Sequence, residues 1–550
     1  MMTNDPLAAL KAARDLDQPA FISLLAQDQV RELSKSTPDG PLAGVPFAVK
    51  DNIDVAGVPT TAACPALTTA AAEPAFAVRR LQEHGAVPIG KTNLDQFATG
   101  LVGTRSPYGA CHSVASPGHV SGGSSSGSAV AVALGVVPFA LGTDTAGSGR
   151  VPAAFNGLVG VKPSRGLVST RGVLPACPSL DCVTTLTRTV ADARVVLDAL
   201  IGYDPADPYA RPMPVAAPAG VARWMRVIAV PDGPMDLDPE HEAAWRAALA
   251  HAESVAHVVR VDVGPFLAAA RLLYEAAFVA ERLAAFGHLL GEDESVDPTV
   301  RRIVLGASRF SGADAFAGMH ELARLRRRAE QAFLGADALL LPVTPGHPTL
   351  AAVATDPVGV NSRLGTFTNM ANLLDLSAVA VPAGKRPDGL PFGVQLLAPA
   401  FADGPLLDLA ARWTGEAAAE PAARTLLAVA GAHLTGQPRN ADLVRLGGRL
   451  HSRARTGPGY RMYTVDGALP RPGLVRTGDG PSGGIELEVW DLPEPALGAL
   501  LPTITEPLHL GPLTLDDGST ALGFVADRTC ADPTRDITAH GGWRAYLATR

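Results

Sequence analysis

Short apolar runs alternate with longer helix-like stretches through the first three quarters of the chain. Residues 45–50 (Val-Pro-Phe-Ala-Val-Lys), 87–91, 137–142 and 338–342 are mostly apolar and bounded by polar or glycine positions, which predicts buried strands. Between them lie segments such as 128–134, Ser-Ala-Val-Ala-Val-Ala-Leu, with helical character. This alternation predicts an α/β sheet domain over residues 1–415. Residues 416–426 are Ala-rich, carry Pro421 and read as a connector. From 427 to 550 the pattern changes to short alternating segments, such as 485–492 (Ile-Glu-Leu-Glu-Val-Trp-Asp-Leu) and 508–515, separated by Gly and Pro. That predicts a small β-rich domain. No repeat recurs at a fixed period.

Composition narrows the function classes. A chain of 550 residues exceeds what one core usually serves, and 47% hydrophobic with 18% charged residues fits a globular protein. The net charge of −8 argues against a general nucleic-acid or anionic-membrane surface while leaving room for one local basic pocket. The N-terminal Met-Met-Thr-Asn-Asp-Pro lacks the basic start and apolar run of a secretory signal, so a cytoplasmic protein is expected. The longest apolar run, 129–142, is broken by Gly135 and Pro138 and is too short to span a membrane. Five cysteines without Cys-x-x-Cys spacing predict reduced, structural thiols.

Three stretches carry chemistry: Lys50 in Phe-Ala-Val-Lys-Asp-Asn, Ser124 in Gly-Gly-Ser-Ser-Ser-Gly-Ser, and Ser148 in Gly-Thr-Asp-Thr-Ala-Gly-Ser-Gly-Arg. A serine hydroxyl needs a base to become a nucleophile, and a desolvated neutral lysine can serve. Residues 122–128 run into a helical pattern, so the serines can cap it while the glycines allow unusual backbone geometry. The stretch 142–148 follows an apolar strand and offers N–H groups at Thr145, Ala146 and Gly147 beside Ser148, which suits an oxyanion hole. Taken singly, Lys50 reads as a surface charge, Ser148 as a helix cap and 122–128 as a flexible loop. A Ser-His-Asp site using His112 or His119 is the competing arrangement, but there is no nucleophile elbow of strand-turn-helix type and both histidines sit in a turn-rich stretch. No metal-ligand cluster such as His-Glu-x-x-His appears, so a hydrolytic metal is not indicated. Because an acidic neighbour would favour charged lysine, Asp51 and Asp144 are expected to turn toward other donors rather than pair with Lys50.

With these motifs the chain resembles the amidase signature family over residues 40–400. The resemblance implies an α/β/α sandwich around a mixed β-sheet, Lys50 as base, Ser124 as proton relay, Ser148 as nucleophile, and a cis peptide between Gly123 and Ser124. The segment Tyr274-Glu-Ala-Ala-Phe-Val-Ala-Glu-Arg282 reads as an amphipathic helix with Tyr274, Phe278 and Arg282 on one broad side. Its bland reading is Tyr274 in the core and Arg282 in solvent. The segment also resembles allophanate hydrolases within the family, which implies that Tyr274 and Arg282 hold a substrate carboxylate. The C-terminal stretches Val429-Ala-Gly-Ala-His433, Arg455-Thr-Gly-Pro-Gly-Tyr and Gly541-Gly-Trp-Arg-Ala-Tyr resemble the extra domain of the same group. That implies a small γ-glutamylcyclotransferase-like barrel with a part in decarboxylating the first product. There His433 is the candidate, against a structural histidine in a turn, and Glu488 reads as structural. The resemblance further implies a small-molecule substrate, allophanate, no cofactor and a homodimer. A broad-specificity amidase and a component of a tRNA-dependent amidotransferase are the alternatives.

Overall fold

All five residues of the strand Pro46–Lys50 are buried, as a central strand of a two-sided sheet requires. The structure is a computed structural model that describes residues 4–214, 225–291, 295–416, 424–446, 448–467 and 471–550. It divides into two units, residues 1–200 with 205–419, and residues 201–204 with 420–550. Of the expected connector, residues 417–423 lie outside the described residues, and Arg424 already opens a strand.

The larger unit carries β1 (Phe21–Leu24), β2 (Pro46–Lys50), β3 (Val87–Thr92), β4 (His112–Ser113), β5 (Ser116–Val120), β6 (Phe139–Asp144), β7 (Val159–Lys162) and β8 (Cys182–Thr187). These are followed by β9 (Val227–Pro231), β10 (His257–Val261), β11 (Ala338–Pro342), β12 (Leu376–Lys385) and β13 (Pro391–Pro399). Eleven of them form one sheet in the order β1-β3-β2-β6-β8-β7-β12-β13-β11-β9-β10, while β4 and β5 pair separately. The sheet is mixed: β2 is parallel to both β3 and β6, whereas β8 is antiparallel to β6 and β7. This is the expected α/β architecture, and all four sheet strands predicted from the apolar runs are present.

The register decides where the functional side chains meet. Since β2 and β6 run parallel with Val49 opposite Leu141, Lys50 and the pair Thr143–Asp144 leave the sheet at the same edge. Antiparallel β8 begins opposite Asp144, at Cys182, so Asp181 enters beside the turn that follows β6. The helix Ser126–Ala133 is buried through Val132 and packs on this end of the sheet. Its start admits only glycine at position 127, where a Cβ would sit 2.1 Å from the Ala20 carbonyl oxygen.

The smaller unit is β-rich, as expected. Strands β14 (Arg424–Val429), β15 (Arg449–Arg455), β16 (Tyr460–Val465), β17 (Arg471–Arg476), β18 (Glu486–Pro493), β19 (Leu508–Thr514) and β20 (Thr520–Ala526) form a five-stranded sheet, β15-β18-β14-β20-β19, and the hairpin β16–β17. Leu427, Val429, Leu487, Val489, Trp490 and Leu513 fill its core. All five cysteines are free, and Cys64, Cys111, Cys177 and Cys182 are buried. Among the described residues no helix is long and apolar enough to cross a membrane.

Candidate active site

Lys50, at the end of β2, is completely buried and reaches across to two hydroxyls. Its Nζ donates to Ser124 Oγ at 2.7 Å and to Thr143 Oγ1 at 2.7 Å. The peptide between Gly123 and Ser124 is cis. Gly123 is the residue that fits there, because a Cβ would lie 2.0 Å from Asp95 Oδ2. Asp95 organises the surrounding loop by accepting the backbone N–H groups of Val102, Gly103 and Arg105, at 3.2, 2.9 and 3.0 Å. The two serine loops are stitched together where Ser125 N–H donates to the Ser148 carbonyl at 3.2 Å. Ser148 is buried, and its hydroxyl donates to the Gly100 carbonyl at 3.4 Å, a long bond that leaves it easily released.

Burial pushes Lys50 down from 10.5 to about 7, against the pull of Asp95, Asp181 and Asp144 and with help from the positive Arg282. A large fraction of Lys50 is therefore neutral near pH 7 and able to accept a proton. Neither expected acidic neighbour pairs with it. Asp51 forms a buried ion pair with Lys91 at 2.9 Å and accepts from the Thr61 hydroxyl. Asp144 receives Arg150 through Nε at 2.9 Å and Nη2 at 3.0 Å, a paired arrangement. Burial works to raise the Asp144 carboxyl, but the Arg150 guanidinium wins and holds it below its ordinary value.

Asp144 also alters the expected oxyanion hole. Its Oδ1 accepts the Gly147 N–H at 2.7 Å, so that donor is committed to the turn. The reason is local: with φ of +122° at Gly147, the chain folds back on the carboxylate three residues earlier. Among the described residues the backbone N–H groups of Thr145 and Ala146 donate to no protein acceptor. Asp181 fixes Thr145 by accepting its hydroxyl, while its other oxygen accepts Ala176 and Cys177 N–H at 2.8 and 3.1 Å. Burial raises the Asp181 carboxyl to about 6 despite these donors and the charge of Arg282. The motifs of the sequence do not single out Asp181, Thr143 or Thr99. Thr143 lies inside the serine motif, a signal that could have found it, whereas Asp181 is brought in only by strand register.

Tyr274 and Arg282 meet, though not on one helix. The helix Gly264–Glu275 ends at Ala276, which is extended with φ −110° and ψ −178°, and a new helix covers Ala280–Phe286. This break replaces the expected continuous amphipathic helix; the spacing suggested the right partners through the wrong geometry. Arg282 Nη2 donates to Tyr274 Oη at 3.2 Å and Nη1 to Thr99 Oγ1 at 3.3 Å. Arg282 is 1% exposed, and its Nε lacks a partner among the described residues. The bland reading, Arg282 in solvent, is thereby excluded. A buried guanidinium of this kind is suited to a carboxylate.

His112 and His119 stay in their hairpin, bonded to the Ser113 carbonyl at 3.0 Å and to Ser116 Oγ at 2.9 Å. In the smaller unit His433 sits in a turn, stacked 5.1 Å from Phe524, with Nε2 unpartnered among the described residues. Burial lowers it to about 4, so it is neutral at pH 7. It lines a cavity of about 280 Å³ with Arg439 and Arg471. Glu488, fully buried, accepts from Thr435 N–H at 2.7 Å, Trp490 Nε1 at 3.2 Å and Arg544 Nη2 at 2.7 Å, which is a structural anchor.

Comparison with known proteins agrees with this division. The Amidase family matches residues 11–407, and the Allophanate hydrolase C-terminal domain matches residues 425–548. Urea amidolyase of Saccharomyces cerevisiae is 40% identical over 96% of the chain and 30% of its own length. The chain thus spans about a third of the length of such curated relatives. The structure of Kluyveromyces lactis allophanate hydrolase is 38% identical with a TM-score of 0.70, covering 99% of this chain and 97% of that one. A glutamyl-tRNA(Gln) amidotransferase component of Halothermothrix orenii is 32% identical over 71% of the chain and 88% of its own length.

Proposed function

The chain belongs to the amidase family, and we propose that it is an allophanate hydrolase that cuts the terminal amide of a small carboxylated urea. The observation that carries the reading is the buried Arg282 guanidinium, bonded to Tyr274 and to Thr99 in the same unit as the lysine and serines. A cation placed there selects a substrate that brings its own carboxylate, since leaving it unpaired in a dry site is costly.

In this reading Arg282 and Tyr274 hold the carboxylate and Ser148 Oγ attacks the terminal carbonyl carbon. The Ser148 proton passes to Ser124 Oγ as the Ser124 proton passes to neutral Lys50. Thr145 and Ala146 N–H groups stabilise the oxyanion, with Asp181 holding Thr145 in place. Collapse of the tetrahedral intermediate breaks the C–N bond, and the proton returned through the relay leaves with ammonia. Water then attacks the acyl-serine by the same relay and releases N-carboxycarbamate. The cavity around His433, with Arg439 and Arg471, supports a role for the smaller unit in the loss of carbon dioxide from that dianion. No cofactor enters the scheme, and a cytoplasmic homodimer acting on a free small molecule completes it.

The amidotransferase reading accounts only for the larger unit and leaves residues 425–548 without a role. Substitution Arg282→Met tests the choice. Turnover of allophanate should fall at least a hundredfold while a neutral amide such as malonamide loses less than about threefold. Equal losses on both substrates would refute the carboxylate clamp.

A further inference from the structure

Resting on the carboxylate reading, we propose that a second cavity beside Tyr274 is a vestibule that holds a small carboxylate before it reaches Arg282. The cavity, of about 360 Å³, is lined by Arg105, Arg302 and Arg309 together with Tyr274, Asn361 and Ser362. Val279, Ile303 and Val358 give it apolar walls, and no Asp or Glu lines it among the described residues. In a chain of net charge −8, three guanidiniums around one cavity are a local reversal of sign.

Arg105 is the decisive member. It is 3% exposed, and its Nη1 and Nη2 donate to the carbonyls of Thr99 and Pro357 at 2.9 and 2.6 Å, while Nε has no partner among the described residues. Its guanidinium forms no ion pair among the described residues, although its backbone N–H donates to Asp95. A buried cation satisfied only by neutral carbonyls keeps most of its field for whatever enters the cavity. Arg302 and Arg309 are exposed at the rim, the latter with its guanidinium 4.6 Å from the Phe310 ring centre.

The vestibule is tied to the clamp through two residues. Thr99 accepts Arg105 at its carbonyl and Arg282 at its hydroxyl, and Tyr274 both lines the cavity and bonds Arg282. A planar carboxylate drawn in by the rim charges would therefore pass from one guanidinium to another along a single wall, with no acidic side chain of the lining to repel it. Neutral amides gain nothing from this path.

The test uses the full chain and the double substitution Arg302→Gln with Arg309→Gln, comparing kcat/KM on allophanate and on malonamide at low and high salt. Removing two of three charges should lower kcat/KM for allophanate about tenfold relative to malonamide at low ionic strength. The relative loss should shrink to below about threefold near 0.5 M salt, where screening acts within a few ångströms. A loss equal on both substrates, no loss, or a loss insensitive to salt would each overturn the vestibule. If the unsubstituted protein instead preferred malonamide, the carboxylate reading itself would fail, which is a distinct result.

Discussion

Replacing Lys50 with methionine should abolish turnover yet stabilise the larger unit at neutral pH. The lysine is fully buried, and its fall from 10.5 to about 7 is the net cost of its charge in the folded state, burial and Arg282 outweighing the pull of Asp95, Asp181 and Asp144. At about 1.4 kcal/mol per pH unit, the folded state bears about 4–5 kcal/mol of destabilisation at pH 7. Methionine fills similar volume without charge, but loses the 2.7 Å bonds to Ser124 and Thr143, worth about 1–1.5 kcal/mol each. The net gain at pH 7 is about 1–3 kcal/mol. The pH dependence has a definite sign. Between pH 7 and 10.5 the unfolded lysine holds a proton that the folded one has released, so the stability of the unsubstituted protein rises with pH. At pH 9.5 its penalty has fallen to about 1–2 kcal/mol, and Lys50→Met should become the less stable form by about 1 kcal/mol. Urea unfolding of both proteins at the two pH values, read on the transition of the larger unit, checks this. A stability difference that stays constant between pH 7 and 9.5 would refute a neutral buried Lys50.

With Lys50 as the proposed base, the rate profile should follow it. Activity on a neutral amide should rise through a midpoint near 7, and two of the four charges that bear on Lys50 should move that midpoint in opposite directions when removed. Arg282→Gln removes a positive charge and should raise the midpoint, whereas Asp181→Asn removes a negative one and should lower it while cutting kcat at least tenfold through Thr145. Glu488→Ala should lower the stability of the smaller unit by about 3 kcal/mol, because the buried donors of Thr435 and Trp490 and the charged Arg544 lose their acceptor. Calorimetry of the smaller unit's transition reads this, and ammonia release from the first step should persist.

Much of the framework was legible because its signals are local. The strands over Pro46–Lys50 and Ala338–Pro342 are continuous apolar runs, and burial at every position accounts for their pattern. The serine loops were readable because Gly123 and Gly147 stand where a side chain would strike Asp95 or Thr368. What the sequence concealed depends on register and on breaks. Asp181 reaches Thr145 only because β8 runs antiparallel to β6, and Ala276 interrupts a helix whose apolar spacing continues unbroken. The engagement of Gly147 by Asp144 is likewise a consequence of turn conformation, so a motif that offers three backbone donors delivers fewer. Arg105 gave no signal, since its partners Thr99 and Pro357 are carbonyls and one of them lies 252 positions away.

Substrate charge is where the carboxylate clamp is most exposed to refutation. Ammonia release from allophanate, biuret, malonamide and acetamide, measured side by side with the full chain, tests it most directly. A buried guanidinium left unpaired by the wrong substrate predicts kcat/KM for allophanate at least a hundredfold above that for each neutral amide. Turnover of acetamide or malonamide at an equal or higher rate would contradict it.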